Sequence, residues 1–355
     1  MFIAEKRDVI WNCRFCLMCR HACTSARYTK SESDTPRAKA LNLWTVLEGM
    51  RHFEASDAEV FFRCADCYRC RAHCISDFDV PGMVEAARRD LIGADLVPET
   101  VRQLRQDILE AGNPFGLSAS AGEAVGSCET LIFPGCELSC HPGEIVGRAV
   151  ELMERMGREA RVLRDGCCGT PLRSLGFHED GRLVAERLAA KIHASGASEV
   201  VVLCPTCLIA FRQGWVPLPE GVRVAFHLEL VAEAMAAERL RPARGPRRRL
   251  LIHDPCSTGR RLAMYELPRT VLSSLPDIEV REFFLSKGES LCCGGSAASR
   301  RIAPEMARHS ASLILDEARE AGADGIVTTC PSCRLHFNQQ EMGIRTYDPL
   351  ELLLD

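Results

Sequence analysis

Any chemical reading of this chain has to start from its cysteines. There are twenty in 355 residues. Cys13, Cys16, Cys19 and Cys23 follow the spacing Cys-x2-Cys-x2-Cys-x3-Cys, and Cys64, Cys67, Cys70 and Cys74 repeat it. Three thiols on turns this short wrap three corners of an iron–sulfur cube, and the fourth leads away along a helix to the other cube. The spacing therefore predicts two cubane 4Fe–4S clusters with exchanged fourth ligands. Cys13, Cys16, Cys19 and Cys74 serve one, and Cys64, Cys67, Cys70 and Cys23 serve the other. Zinc is the alternative metal, but zinc sites use Cys-x2-Cys arms separated by a longer loop. The proline that often follows the fourth cysteine is absent; Thr24 and Ile75 stand in its place and leave the turn less constrained.

Ten further cysteines form two copies of one pattern. The first is Cys136, the pair Cys167 and Cys168 followed by Gly169, and Cys204-Pro-Thr-Cys207. The second is Cys256, the pair Cys292 and Cys293 followed by Gly294, and Cys330-Pro-Ser-Cys333. Corresponding positions lie 120 to 126 residues apart, which indicates two tandem domains rather than a short solenoid repeat. Five thiols per copy allow three chemistries: a bridged or irregular iron–sulfur cluster using all five, zinc using four, or a catalytic dithiol using the adjacent pair, with Cys292 and Cys293 as candidates. The glycine after each pair is expected to bring the backbone close to a cofactor.

The elements that position these thiols can be read from periodicity. Each copy alternates short apolar strands with helical segments. The first has strands near "TLIFPG", "ARVLRD", "EVVVLC" and "VRVAFH"; the second has them near "RLLIHD", "IEVREF", "GIVTTC" and "IRTYDP". Such alternation predicts a parallel sheet in each copy. The first cysteine follows strand one, the pair follows strand two and Cys-x2-Cys follows strand three, so all five thiols meet at the carboxyl edge, where α/β sheets bind ligands. Around the first eight cysteines, "TPRAKALNLWTVLEGM" and "DVPGMVEAARRDLI" read as helices. The fold class is thus α+β multidomain: a helical two-cluster ferredoxin-type domain over 1–112, then two tandem α/β domains over 113–240 and 241–355. Residues 113–127 and the basic stretch 239–249 read as linkers.

Composition limits the function. A net charge of −4 gives no reason to expect a nucleic-acid partner. No run of eighteen apolar residues exists, so membrane association would come only through a partner. "MFIAEKRDVIW" does not read as a secretory signal, and free cysteine at this density suits the cytoplasm. Arg14, Arg20, Arg63, Arg69 and Arg71, with His21 and His73, interleave with the first eight cysteines. They either balance charge on a solvated surface or form a docking face for an acidic electron-transfer partner. No glycine-rich dinucleotide fingerprint or phosphate loop is present, so flavin or NAD belongs to a partner.

The duplicated Cys…Cys-Cys-Gly…Cys-Pro-x-Cys pattern resembles the CCG, or cysteine-rich, domain. Joined to the two-cluster module, the chain resembles the D-type iron–sulfur subunit of heterodisulfide reductase and the iron–sulfur subunits of glycolate oxidase and anaerobic glycerol-3-phosphate dehydrogenase. Eighteen of the twenty cysteines take part in the match. The resemblance implies two further, non-cubane 4Fe–4S clusters, with zinc as an option in one. Cys136, Cys167, Cys168, Cys204 and Cys207 would hold the first; Cys256, Cys292, Cys293, Cys330 and Cys333 would hold the second. Relatives often carry His-Asp-Pro-Cys-His where this chain has His253, Asp254, Pro255, Cys256 and Ser257. Asp254 before Pro255 is expected to cap a helix, and His253 to be a hydrogen-bonded core residue. Cys128 and Cys140 fall outside the motifs and are expected to pack.

The functional expectation is an iron–sulfur subunit relaying electrons from a flavoprotein dehydrogenase. Its rival within redox chemistry is a thiol–disulfide reductase acting at a CCG cluster. A zinc-stabilised assembly protein is the rival from another class.

Overall fold

The structure, a computed structural model, describes residues 1–117, 126–141, 143–242 and 244–354. Much of the linker expected at 113–127 lies outside the described residues. The basic stretch carries no helix or strand over 241–242 and 244–247.

The N-terminal region is helical. Its two principal helices, Pro36–Leu47 and Val80–Gly93, start as the sequence dictates. Thr35 caps the first by accepting from the amide of Ala38 at 3.2 Å, with Pro36 just inside. Asp79 caps the second by accepting from Gly82 at 3.2 Å. A side-chain oxygen at that position satisfies an otherwise unpaired amide, and proline at the first turn loses no hydrogen bond. Ile3, Ile10, Leu43, Phe61, Met83 and Leu91 fill the core between these helices.

Each copy of the repeat is built on four strands, all parallel. The first sheet comprises β1 (Thr130–Phe133), β2 (Ala160–Val162), β3 (Glu199–Val202) and β4 (Arg223–Phe226), in the order β2-β1-β3-β4. The second comprises β5 (Arg248–His253), β6 (Ile278–Glu282), β7 (Gly325–Thr328) and β8 (Arg345–Tyr347), in the order β6-β5-β7-β8. All eight strands lie where the periodicity placed them. Strand order reverses between the first and third strand of each sheet, which opens a crevice at the carboxyl edge there.

The two sheets share a core. Phe133, Val201 and Leu230 pack in one apolar cluster with Leu250, Ile252, Val327 and Leu350. Alternation decides which face of β5 goes where: Leu250 and Ile252 enter that shared core, and Leu251 between them enters a second one with Phe283 and Ile314. The first copy also reaches into the N-terminal core through Cys167, Leu172, Leu175 and Val184.

Polar contacts lock the copies together. Glu137 is buried and takes Arg300 from the other copy through two bonds of 2.7 and 2.8 Å, and Ser332 donates to it at 2.8 Å. Removing one member of a buried pair leaves an uncompensated charge, at a cost of roughly 3–5 kcal/mol. Arg300→Ala should therefore lower the thermal midpoint of the anaerobically purified chain, and Arg300→Leu with Glu137→Leu should recover much of the loss. A midpoint unmoved by the single change would mean that the pair does not hold the copies together.

Candidate metal centres

The first eight cysteines form two groups that cross between the motifs. Cys13 has Cys19, Cys74 and Cys16 as its charged neighbours; burial first, and then these thiols, push its own thiol up to about 12. Cys70 is raised by burial and by Cys67, Cys64, Cys23 and Cys19. Cys74 thus stands among the thiols of the first motif and Cys23 among those of the second, with Cys19 between the groups beside Cys23. Cys23, Cys64, Cys67 and Cys70 together line a nearly closed cavity, with Lys39 and Thr24 in its wall.

Buried cations surround that cavity. Lys39, only 2% exposed, bonds the Asp34 carbonyl at 2.5 Å. Arg88, equally buried, donates to the carbonyls of Phe61 at 3.1 Å, Cys64 at 2.6 Å and Ser174 at 2.6 Å. Both oppose the effect of burial on the Cys64 thiol, which is nonetheless raised. Carbonyl-bound guanidinium and ammonium groups beside four thiols suit an anionic thiolate-bound group. Thr24, where the motif often has proline, lies 3.7 Å from Cys67 Sγ.

The arginines do not form a free basic face. Arg20 pairs with Glu32 at 2.9 Å, Arg63 with Asp34 at 2.8 Å and Arg71 with Asp77 at 2.9 Å. Arg69 is buried, and Arg14 stacks over Trp11, Phe15 and Trp44 at 3.9 to 4.5 Å. Charge balance within the chain accounts for them. Apolar side chains face solvent around exposed Cys16: Trp11, Phe15, Leu17 and Met18 are 46% to 65% exposed, and Ile75 after Cys74 is 90% exposed, with exposed Asn12, Arg20 and His21 flanking them.

In each copy of the repeat five thiols lie side by side in a row. Cys136 meets Cys167, which meets Cys168; Cys168 meets Cys207, which meets Cys204. The second row is Cys256, Cys292, Cys293, Cys333 and Cys330, with Cys293 and Cys333 at 2.9 Å. Cys168 and Cys293 are each flanked by two thiols, which lowers both strongly toward the thiolate that binds metal. Among the described residues no three His, Cys, Asp or Glu side chains converge as ligands of a single metal ion. A curved row of five soft donors suits several irons better than one tetrahedral zinc.

Local sequence explains the rows. Cys204 and Cys330 each stand just before a helix whose first residue is proline, so Cys207 and Cys333 return one turn later on the same face. The glycine after each pair has a packing role that the sequence does not show. Gly169 and Gly294 adopt φ of +77° and +73°, and a Cβ there would lie 2.2 Å from the Gly181 carbonyl oxygen and 2.8 Å from Ala307 Cα. They let a helix approach. His253 is a core residue as expected, bonded to Thr328 and to the Leu291 carbonyl. Asp254 does not cap the helical turn that follows it: Arg269 clamps its carboxylate at 2.8 and 2.9 Å, and it accepts from the amide of Lys287, the first residue of the short 3-10 turn Lys287–Glu289.

Sequence reasoning missed the residue after each copy's first cysteine. Ser257 bonds Thr206 of the other copy at 3.0 Å, just as Glu137 takes Ser332. The signal was there: the variable position of both Cys-Pro-x-Cys motifs is a hydroxyl. Cys140 lies beside Cys136, and burial lifts its thiol to about 12. Cys128 sits apart, its amide bonded to the Ser195 carbonyl.

Comparison with known proteins agrees with this geometry. Residues 130–212 and 250–338 match the cysteine-rich domain, and residues 12–79 match a 4Fe-4S dicluster domain. The chain is thus an iron–sulfur protein with one 4Fe–4S dicluster domain followed by two cysteine-rich CCG domains. It is 23% identical over 318 residues to the D-type subunit of the dihydromethanophenazine:CoB–CoM heterodisulfide reductase of Methanosarcina acetivorans, covering 83% of this chain and 78% of that one. It is 24% identical to the B-type subunit of the fumarate reductase (CoM/CoB) of Methanothermobacter marburgensis, covering 83% of this chain and 61% of that one. It is 23% identical to the EtfAB:quinone oxidoreductase of Syntrophomonas wolfei, covering 79% of this chain and 43% of that one. These relatives are oxidoreductases or their subunits. A hypothetical protein from Helicobacter pylori shares the fold at a TM-score of 0.56 and 9% identity, over 80% of this chain and 59% of that one.

The glycine role is testable. Gly169→Ala and Gly294→Ala should each destabilise the chain by roughly 1–3 kcal/mol or more from the left-handed backbone alone. Gly245→Ala, in an irregular segment where the added methyl meets nothing within 4 Å, should leave stability unchanged. Thermal melts of the three variants check this, and equal midpoints would refute the packing role.

Proposed function

We propose that this chain is the electron-relay subunit of an oxidoreductase complex, taking electrons from a flavoprotein dehydrogenase. The observation carrying the reading is the gradient of exposure along the thiols. Cys16 is open at the surface inside an apolar patch, whereas the CCG thiols are buried apart from half-buried Cys136 and Cys256. A relay needs one accessible end and a sheltered remainder.

On this reading, residues 1–112 form the entry domain, and 113–240 and 241–355 are the two CCG domains. Cys13, Cys16, Cys19 and Cys74 hold one cubane cluster, and Cys23, Cys64, Cys67 and Cys70 the other. Each row of five thiols holds a further, non-cubane cluster. A bound cluster supplies storage of one electron at a potential set by charge, hydrogen bonds and burial. The chain's own residues set those terms. Lys39 and Arg88 favour the reduced form at the inner cubane, the buried rows exclude water, and Trp11, Phe15, Leu17 and Met18 offer a partner an apolar contact. With the arginines paired internally, that contact should weaken little as salt rises.

A second reading is disulfide reduction at a CCG centre, favoured by two intact five-thiol rows and by the name of the Methanosarcina acetivorans relative. Cys292 and Cys293, its candidate catalytic residues, are 8% and 5% exposed.

The deciding experiment reduces anaerobically loaded protein with a low-potential dye and offers it oxidised flavoprotein, cystine or glutathione disulfide. Rapid exchange with the flavoprotein is expected, with little dependence on salt and about tenfold slower in Leu17→Ser/Met18→Ser. Turnover of either disulfide is expected to be slow. Fast disulfide cleavage that vanishes in Cys293→Ser would reverse the assignment.

A further inference from the structure

The two CCG copies do not meet the dicluster domain in the same way. The thiol of Cys67 stands near the thiol of Cys292, each shifting the other's ionisation, and Cys256 lies within the field of both. A lining residue of the inner cubane cavity thus stands beside the second five-thiol row, with Arg260 of the second copy bonded to its carbonyl at 2.7 Å. The first copy meets the same domain through an apolar wall edged by the pairs Arg105–Asp180 at 2.6 Å and Glu85–His178 at 2.7 Å. Cys167 packs there beside Leu172 and Leu175, and Arg88 bridges the carbonyls of Cys64 and Ser174.

The duplication breaks at one position to make this difference. Four residues after the first cysteine, the first copy has Cys140 and the second has Arg260. Arg260 lies on the single π-helical turn Ser257–Arg261. Its Nε donates to the Cys67 carbonyl at 2.7 Å. Its Nη1 donates to the carbonyls of Ser290 at 2.8 Å and Gly288 at 3.3 Å, on the loop that leads into Cys292. Its Nη2 is sealed from solvent without a hydrogen-bond partner. Among the described residues no carboxylate pairs with it; its titratable surroundings are Cys67, Cys256, Cys292 and Tyr265, with the buried Arg69 also in its field. A guanidinium held only by carbonyls, with an unused buried donor amid three thiols, is set to face negative charge on both sides.

We infer that the second CCG copy is the direct electron-transfer neighbour of the dicluster domain, and that Arg260 is the positioning residue that builds the junction. The inference rests on the reading that these thiols hold iron–sulfur clusters. Arg260 ties the Cys67 loop to the Cys292 loop and keeps a fixed positive charge between them. One electron leaves the Cys23, Cys64, Cys67 and Cys70 centre, oxidising it by one. It arrives at the Cys256, Cys292, Cys293, Cys330 and Cys333 centre, reducing it by one, and no bond forms or breaks. The first copy is then reached through the second. Cys204 and Cys330 lie within each other's field, and the Thr206–Ser257 bond ties the rows together.

The test is a set of redox titrations followed by electron paramagnetic resonance on the full chain. Signals of the two CCG centres are assigned with Cys168→Ser and Cys293→Ser. Positive charge favours the reduced state of an anionic centre, so Arg260→Gln should lower the potentials of the inner cubane and the second CCG centre together. Arg260→Lys should restore most of that shift. The first CCG centre and the outer cubane should stay near their wild-type potentials, and electron exchange between the dicluster domain and the second copy should slow at least tenfold. If Arg260→Gln loads poorly, iron loss confined to the two flanking centres supports the junction, and uniform loss overturns it. A first-copy centre that shifts as much as the second, or no shift in either flanking centre, would also overturn it. Zinc in the second copy of the wild-type chain would instead overturn the cluster reading itself.

Discussion

A parallel sheet sends every strand-to-helix connection to one edge, and this chain depends on that constraint twice. Cys136, Cys167, Cys168, Cys204 and Cys207 are scattered over more than seventy residues, yet all five follow strands of one sheet and meet in a row. Because the second sheet has the same strand order, its thiols meet in the same way. The shared core behind the two sheets then sets the two carboxyl edges against each other. The residue after each first cysteine bonds the hydroxyl in the other copy's Cys-Pro-x-Cys motif, so neither row is organised by its own copy alone.

Electrostatics does the remaining work. Five thiols or four, once ionised, repel one another, and burial penalises each charge further. The chain answers with cations that are themselves buried. Lys39 and Arg88 stand by the inner cubane cavity and Arg260 stands at the boundary with the second row. Arg88 and Arg260 are bonded to backbone carbonyls, which leaves their positive charge available to a bound anion, whereas Lys39 shares its charge with the Asp34 carboxylate at 3.8 Å. Arg20, Arg63 and Arg71 are paired to carboxylates, so the surface by Cys16 offers apolar side chains rather than free basic ones.

The sequence made much of this legible, because cysteine spacing and strand periodicity are local signals. Two spaced quartets, two five-thiol patterns and eight strands could be placed from residue types alone. The contacts that make the sites work are not local. The Glu137–Arg300 pair joins residues 163 positions apart, and the bond from Arg260 to Cys67 spans 193. Arginines beside cysteines looked like a docking face, since a sequence does not show that Asp34 and Glu32 fold back onto them. Gly169 and Gly294 look like cofactor-approach residues, and the close approach of the helices bearing Gly181 and Ala307 does not show in the sequence. Asp254 looked like a cap, but Arg269, fifteen residues on, claims it.

The central claim is that all four cysteine groups hold iron–sulfur clusters, and metal analysis of the full-length chain purified without oxygen tests it most directly. Iron and acid-labile sulfide sufficient for four 4Fe–4S clusters per chain, with zinc absent, is the predicted result. Iron for only two clusters together with stoichiometric zinc would contradict it, leaving the two sheets as structural supports for a dicluster protein.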